Sequence, residues 1–183
     1  MTLALSGSVL GRKKTEKPFK MQPTKFNVRC ASHLVGVLNP YKRGRVISEC
    51  IHALTPHKNK FDAIAVSGYS MALIAPTIAD EMGKGLIIVR KYDDDCASDY
   101  RVEGMLCNNY IIIDDLVCSG DTFHRVKDSI HNFHHTFENP CNLYGIYLYD
   151  IHNSCYRTHS AVEYHLKTKL LNTVDQLKRS VGE

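Results

Sequence analysis

Residues 110–122 read Tyr-Ile-Ile-Ile-Asp-Asp-Leu-Val-Cys-Ser-Gly-Asp-Thr: a short apolar run, two adjacent carboxylates, then small and hydroxyl-bearing residues around one glycine. A continuous apolar run of this length, Tyr110 to Ile113, predicts a strand buried on both faces. Periodic apolar positions after the loop predict a helix from about Thr122 to Thr136. Upstream, Ala63–Val66 followed by Ser67-Gly68-Tyr69-Ser70 and a helix over Met71–Met82 repeats the strand–turn–helix pattern. Leu86–Val89 and Leu143–Leu148 predict two further strands. Short buried strands alternating with helices define an α/β class with a mainly parallel sheet flanked by helices.

Outside this frame, Val46, Ile47, Cys50, Ile51 and Leu54 recur at helical spacing, and Thr55 and Pro56 close that helix. Leu166, Leu170, Leu171, Val174, Leu177 and Val181 predict one apolar face of a C-terminal helix, suited to packing on the core or on a second copy. The total of 183 residues fits one domain. We read residues 1–25, polar and basic with Pro18 and Pro23, as a flexible arm, and 26–183 as the domain. Residues 1–45 carry ten Lys or Arg against Glu16 alone, although the whole chain is only +4. Such an arm suits nucleic acid or an anionic small molecule, but it has few aromatic residues on which bases could stack, which speaks against nucleic acid.

A hydrophobic share of 44% with 23% charged residues is ordinary globular usage and excludes fibrous and low-complexity classes. Met71 to Ala79, the longest nearly apolar stretch, is about half the ~20 residues a membrane-crossing helix needs. No membrane span is expected. The N-terminal charges follow the weakly apolar run where an export signal would have them first. Seven cysteines without a CxxC pair signal neither a disulfide framework nor a zinc ribbon, so a reducing cytoplasm is the expected setting.

The chemistry concentrates in the opening stretch. Loop amides, the Ser119 and Thr122 hydroxyls and a helix N-terminus together make a seat for a phosphate dianion, and Gly120 permits close backbone approach. No lysine follows Gly120, so this is not the GxxxxGK[ST] nucleotide loop. Asp114 and Asp115, just before the seat, are placed to accept hydrogen bonds from two vicinal hydroxyls of a sugar. A ribose phosphate satisfies both halves.

IIIDDLVCSGDT closely resembles the phosphoribosyl-pyrophosphate-binding motif of the type I phosphoribosyltransferases, and the resemblance extends over about residues 46–150. It implies that family's fold with a small variable hood, binding of the ribose 5-phosphate by Asp114, Asp115, Cys118, Ser119, Gly120, Asp121 and Thr122, and binding of the pyrophosphate by Ser67, Gly68, Tyr69 and Ser70 with Arg90 and Lys91. Lys91, Asp114 and Asp115 would be the catalytic residues, with substrate-borne Mg2+ as cofactor near the two acids. The implied partners are phosphoribosyl pyrophosphate and a nucleobase, with a homodimer by family habit. The turn Ser67–Ser70 departs from relatives that place a cation there, so its charge compensation must come from elsewhere. Such turns also often hold a cis peptide bond.

By the same resemblance, residues 92–104, YDDDCASDYRVEG, match a mobile lid. Asp93, Asp94, Asp95 and Cys96 stand where the orotate branch has a lysine and a histidine, and Cys118 stands where the hypoxanthine–guanine branch has an acid. Adenine is therefore the first expected acceptor among the purines. The Asp93–Asp95 triplet reads either as a magnesium site or as a solvated surface, and Cys118 either as a thiol nucleophile or as a small loop residue. His131 and His135 have the i, i+4 spacing of a zinc pair but no acidic or cysteine partner at suitable spacing. Phe26, Tyr41, Tyr147 and Tyr149 are candidates to stack on a base, or ordinary packing residues. A non-catalytic regulator that senses nucleotides or phosphoribosyl pyrophosphate on the same fold remains the alternative, as does transfer to an amine.

Overall fold

The computed structural model describes residues 34–91, 100–154 and 171. Helix α1, Val35–Leu38, leads directly into α2, Pro40–Leu54. The Asn39 side chain accepts from the Tyr41 and Lys42 amides at 3.0 and 3.2 Å, and Pro40 needs no such partner because it has no N–H. The helix thus starts earlier than its apolar stripe predicts, since the capping signal lies outside that stripe. It ends where expected, at Thr55.

Five strands follow: β1 Ala63–Val66, β2 Gly85–Val89, β3 Val102–Gly104, β4 Asn109–Asp114 and β5 Asn142–Leu148. They form one sheet in the order β3-β2-β1-β4-β5, parallel except for the β2–β3 edge. The four strands expected from sequence are all present. The fifth corrects the reading of residues 92–104 as a lid throughout, because Val102–Gly104 is strand. Gly104 explains how: at φ 145° it lies so close to β2 that a Cβ there would come within 2.7 Å of Ile87 Cα. Residues 92–99, including Asp93, Asp94, Asp95 and Cys96, lie outside the described residues.

Alternation along the strands sends side chains to two cores. Ala63, Ala65, Tyr110 and Ile112 face helix α5, Asp121–Thr136, with its Phe123, Val126 and Ile130. Ile64, Val66, Ile111 and Ile113 face α2 and helix α4, Ala75–Met82, with Leu54, Ile78 and Met82. The result is a three-layer α/β/α sandwich.

The single helix expected over Met71–Met82 is two pieces, α3 Tyr69–Ala72 and then α4. Pro76, in the first turn of α4, cannot donate to the preceding turn, so the ladder breaks before it. Leu171, the described residue of the segment expected to form a C-terminal helix, is instead in a bend, and its amide donates to Ile146 O on β5 at 2.8 Å. Leu166, Leu170, Val174, Leu177 and Val181 lie outside the described residues, as do residues 1–25 and Phe26. Among the described residues no helix is long and apolar enough to cross a membrane.

Candidate active site

In a doubly wound sheet the neighbours of the first strand leave in opposite directions, and a crevice opens beyond the carboxyl ends of the strands at that switch point. Here β1 lies between β2 and β4, and both loops singled out in the sequence emerge at this place. A cleft of about 270 Å3 there is lined by Ser67, Gly68, Tyr69 and Ser70 from the first loop, by Asp114, Asp115, Cys118, Ser119, Gly120 and Thr122 from the second, and by Lys91. Nearly every residue proposed from sequence is therefore brought together, from positions far apart in the chain.

The acids are held by backbone. Beyond the last β4–β5 pair, Tyr149 N donates to Asp114 O at 3.1 Å and Asp150 N to Asp115 O at 2.8 Å, so the ladder continues under both carboxylates. Asp114 Oδ1 accepts from the Asp115 amide at 3.0 Å, and Asp115 Oδ1 from the Leu116 amide at 2.7 Å. Both side chains are nearly buried. Burial, and then the neighbouring Asp115 charge, push the Asp114 carboxyl well above the usual carboxylate range, with Lys91 acting in the opposite sense. Two acids are thus held in a poorly hydrated place, and the charge of Asp115 makes Asp114 harder to ionise. Such an arrangement favours a ligand that brings hydroxyl donors or positive charge.

The loop expected to seat a phosphate runs directly into α5. Gly120 caps α5 at φ 87° and starts a helix of sixteen residues, whose first amides face the cleft end. Val117 N donates to Ser154 Oγ at 3.1 Å, tying the loop to the segment after β5. Asp121 departs from the expectation. It does not line the cleft; its carboxylate accepts from the Ser119 hydroxyl at 2.6 Å, as an acid in the first turn of a helix does.

Arg90 also departs. Consecutive residues at a strand end point to opposite sides. Arg90 turns to β3, where Nε and Nη2 donate to Glu103 Oε2 at 3.2 and 2.5 Å, while Lys91 turns to the cleft. A Cβ on Gly68 would lie 3.9 Å from Lys91 Cε, so this side chain crosses the turn at its narrowest residue. Gly68 itself adopts φ 89°, where a side chain would be strained. Among the described residues every peptide bond is trans, so the turn is shaped by this glycine and not by the cis bond that the resemblance suggests.

One cation at this turn escaped the sequence reading. Arg125, on the first turns of α5, reaches across to β1, and its Nη2 lies 3.3 Å from Ser67 Oγ. Its Nε is buried and has no partner among the described residues. The spacing Thr122–Arg125, three apart, places both on one helix face and was the available signal. Arg125 itself does not line the cleft; Leu34, just ahead of α1, and Leu116, Val117 and Phe123 line it in addition to the residues expected from sequence. Tyr41, Tyr147 and Tyr149 do not line it: Tyr147 and Tyr149 pack on the α2 side of the sheet, as ordinary core residues do.

The topology is that of the type I phosphoribosyltransferase fold. The orotate phosphoribosyltransferase of Aeropyrum pernix superposes with a TM-score of 0.54 at 12% identity, over 80% of each chain. The adenine phosphoribosyltransferase of Saccharomyces cerevisiae, complexed with an imino-altritol bisphosphate and adenine, gives 0.50 at 18% identity, over 75% of this chain and 82% of that one. The UMP synthase of Leishmania donovani gives 0.51 at 22% identity; the match takes in 79% of this chain but spans only 30% of that enzyme's length. No protein-family model matches the sequence, and no curated protein matches it significantly.

Proposed function

We propose that the protein transfers the 5-phosphoribosyl group of phosphoribosyl pyrophosphate to a ring nitrogen of a nucleobase, with adenine the first acceptor to test, and releases pyrophosphate. The observation that carries this reading is the meeting of two glycine-containing phosphate turns, one on each side of a buried acid pair, at the switch point of the sheet.

In this reading Asp114 and Asp115 accept hydrogen bonds from the ribose hydroxyls, and the loop 118–122 with the N-terminus of α5 seats the 5-phosphate. The attacking nitrogen forms a bond to C1 as the C1–O bond breaks, and the electron pair leaves with the pyrophosphate. Negative charge grows on that leaving group, so preorganised donors aimed at it lower the barrier. Lys91 and the Ser67–Ser70 amides are those donors. Arg125 acts from behind the turn: its bond to Ser67 Oγ holds the two loops at a fixed separation. Arg90, engaged with Glu103, instead steadies the β2–β3 edge.

Asp114 and Asp115 offer hard oxygen ligands and too much negative charge for their burial, which fits Mg2+ carried in on the substrate. Bound there, the ion would offset charge on the diphosphate. Leu34 supplies an apolar side chain beside the cleft from the segment ahead of the sheet, a suitable start for a base pocket.

A sensor that binds phosphoribosyl pyrophosphate without transfer is the competing reading, and the absence of a cation within Ser67–Ser70 is the observation that favours it. The deciding experiment incubates the full chain with phosphoribosyl pyrophosphate, magnesium and a panel of purine and pyrimidine bases, and follows pyrophosphate release and nucleotide mass. The expected result is a nucleoside monophosphate from one base. Tight binding with no product from any base would favour the sensor, and failure to bind phosphoribosyl pyrophosphate would overturn both.

A further inference from the structure

At the opposite edge of the sheet, where β4 and β5 begin, three soft ligand atoms converge from three elements. Cys107 stands in the loop before β4, Cys141 immediately before β5, and His134 in the last turn of α5. The two sulfurs are 3.5 Å apart, Cys107 Sγ is 4.0 Å from His134 Nε2, and all three ligand atoms lie within 4.8 Å of one another. The histidine pair foreseen from spacing, His131 and His135, is solvent-exposed. Between them His134 turns inward and is 1% exposed.

Two of these separations come near those of one kind of occupant. With Zn–S near 2.3 Å and Zn–N near 2.0–2.1 Å, tetrahedral edges are about 3.8 Å between sulfurs and about 3.5 Å from sulfur to nitrogen. The Cys107–Cys141 and Cys107–His134 edges are each within about half an ångström of those values, whereas the Cys141–His134 edge, up to 4.8 Å, has to shorten as the ion enters. A disulfide would require the sulfurs to close to about 2.05 Å and would leave the inward histidine without a purpose.

One side chain ties the cluster together. The Asn139 amide lies 3.1 Å from His134 Nδ1 and 3.1 Å from the Cys107 carbonyl, so one side chain orients the ring and fixes the loop that carries the first thiol. A cavity lined by His131, Glu138 and Cys141 opens beside the cluster and supplies an entry path.

We propose that Cys107, His134 and Cys141 form a zinc-binding site, with a water in the fourth position facing that cavity. Both thiols lose their protons on binding, and His134 binds through Nε2 with its proton moved to Nδ1, which requires the Asn139 amide to release Nδ1 while it keeps its bond to the Cys107 carbonyl. The site joins the end of α5 to the starts of β4 and β5, so the ion stabilises the fold at the edge remote from the cleft.

The test uses the full chain, kept reduced with a phosphine and stripped of metal, titrated with Co2+ and then Zn2+. The expected result is one equivalent of cobalt giving tetrahedral visible bands and a near-ultraviolet charge-transfer band of two-thiolate intensity, displaced by zinc, together with a zinc-dependent rise in Tm. Cys107→Ser and Cys141→Ser should each weaken binding by more than the ~10–100-fold that loss of an outer-shell partner produces, whereas His131→Gln should not. If the serine variants fail to fold, the thiolate intensity of the wild-type spectrum decides. No thiolate band, a band that persists in both serine variants, or a native mass two hydrogens lighter from a Cys107–Cys141 disulfide would overturn the proposal.

Discussion

The two edges of the central sheet carry opposite chemistries. At the carboxyl edge, Asp114, Asp115, Ser67, Ser119 and Thr122 offer oxygen, the backbone opens at glycines, and the side chains arrive from loops that adopt positive φ. At the amino edge, Cys107, Cys141 and His134 offer sulfur and nitrogen, packed against the α5 core. Oxygen donors with helix N-termini suit phosphate, hydroxyl and hard cations, while thiolate and imidazole suit zinc. The same fold therefore separates an oxygen-rich cleft from a sulfur- and nitrogen-rich cluster. The physical basis is direction: helix N-termini and strand carboxyl ends meet at one edge only.

The largest effect expected along this comparison comes from Asp115→Ala. It should lower kcat/KM for phosphoribosyl transfer by roughly 2–4 kcal/mol, as loss of a preorganised partner does, and leave the cobalt spectrum of the other edge unchanged. Steady-state kinetics and the metal titration on one preparation check both halves; undiminished affinity for phosphoribosyl pyrophosphate would break the assignment of the acid pair.

Next in size is Arg125→Met, which removes the charge and keeps the bulk. A loss of about 1.5–3 kcal/mol in kcat/KM is expected, the range for hydrogen bonds to charged groups. It should appear mainly in KM for phosphoribosyl pyrophosphate, because Arg125 positions the Ser67–Ser70 turn through Ser67 Oγ. An unchanged kcat/KM would return the problem of the uncharged turn to Lys91.

The smallest effect is one of sign. Asp114 has its folded-state proton affinity raised, so its contribution to stability is present below the unfolded carboxylate pKa of ~3.9 and is lost as pH rises through the higher folded value. Asp114→Asn should thus raise Tm relative to wild type at neutral pH while impairing transfer, with the two proteins converging as pH falls to about 4. Thermal melts across that range test it. A variant less stable at pH 7 would mean that the acid is held by compensation other than Lys91.

Much of this organisation was legible in residues 110–122, because a buried parallel strand needs a continuous apolar run and a phosphate loop needs glycine and hydroxyls at its end. The two-acid signature was local, so it could be read locally. Arg125, Glu103 and His134 were not legible in that way. Arg125 acts across the gap to β1, and Glu103 captures Arg90 because an edge strand lies antiparallel to β2, where the polar sequence predicts a loop. His134 differs from His131 and His135 only by facing inward, and its cysteine partners precede it by 27 residues and follow it by seven. Pro76 was visible, but its effect on the helix after the first turn depended on which ladder bond it removed.

The sequence by itself determined the class of the fold, the strands that carry both phosphate turns and the identity of the acid pair, since each depends on periodicity or on neighbours within a few positions. Only the tertiary structure decided which cations face the cleft, which histidine faces the thiols, and that the two chemistries lie at opposite ends of one sheet. Those are pairings between distant residues, set by strand order and by the direction in which each strand end releases its side chains.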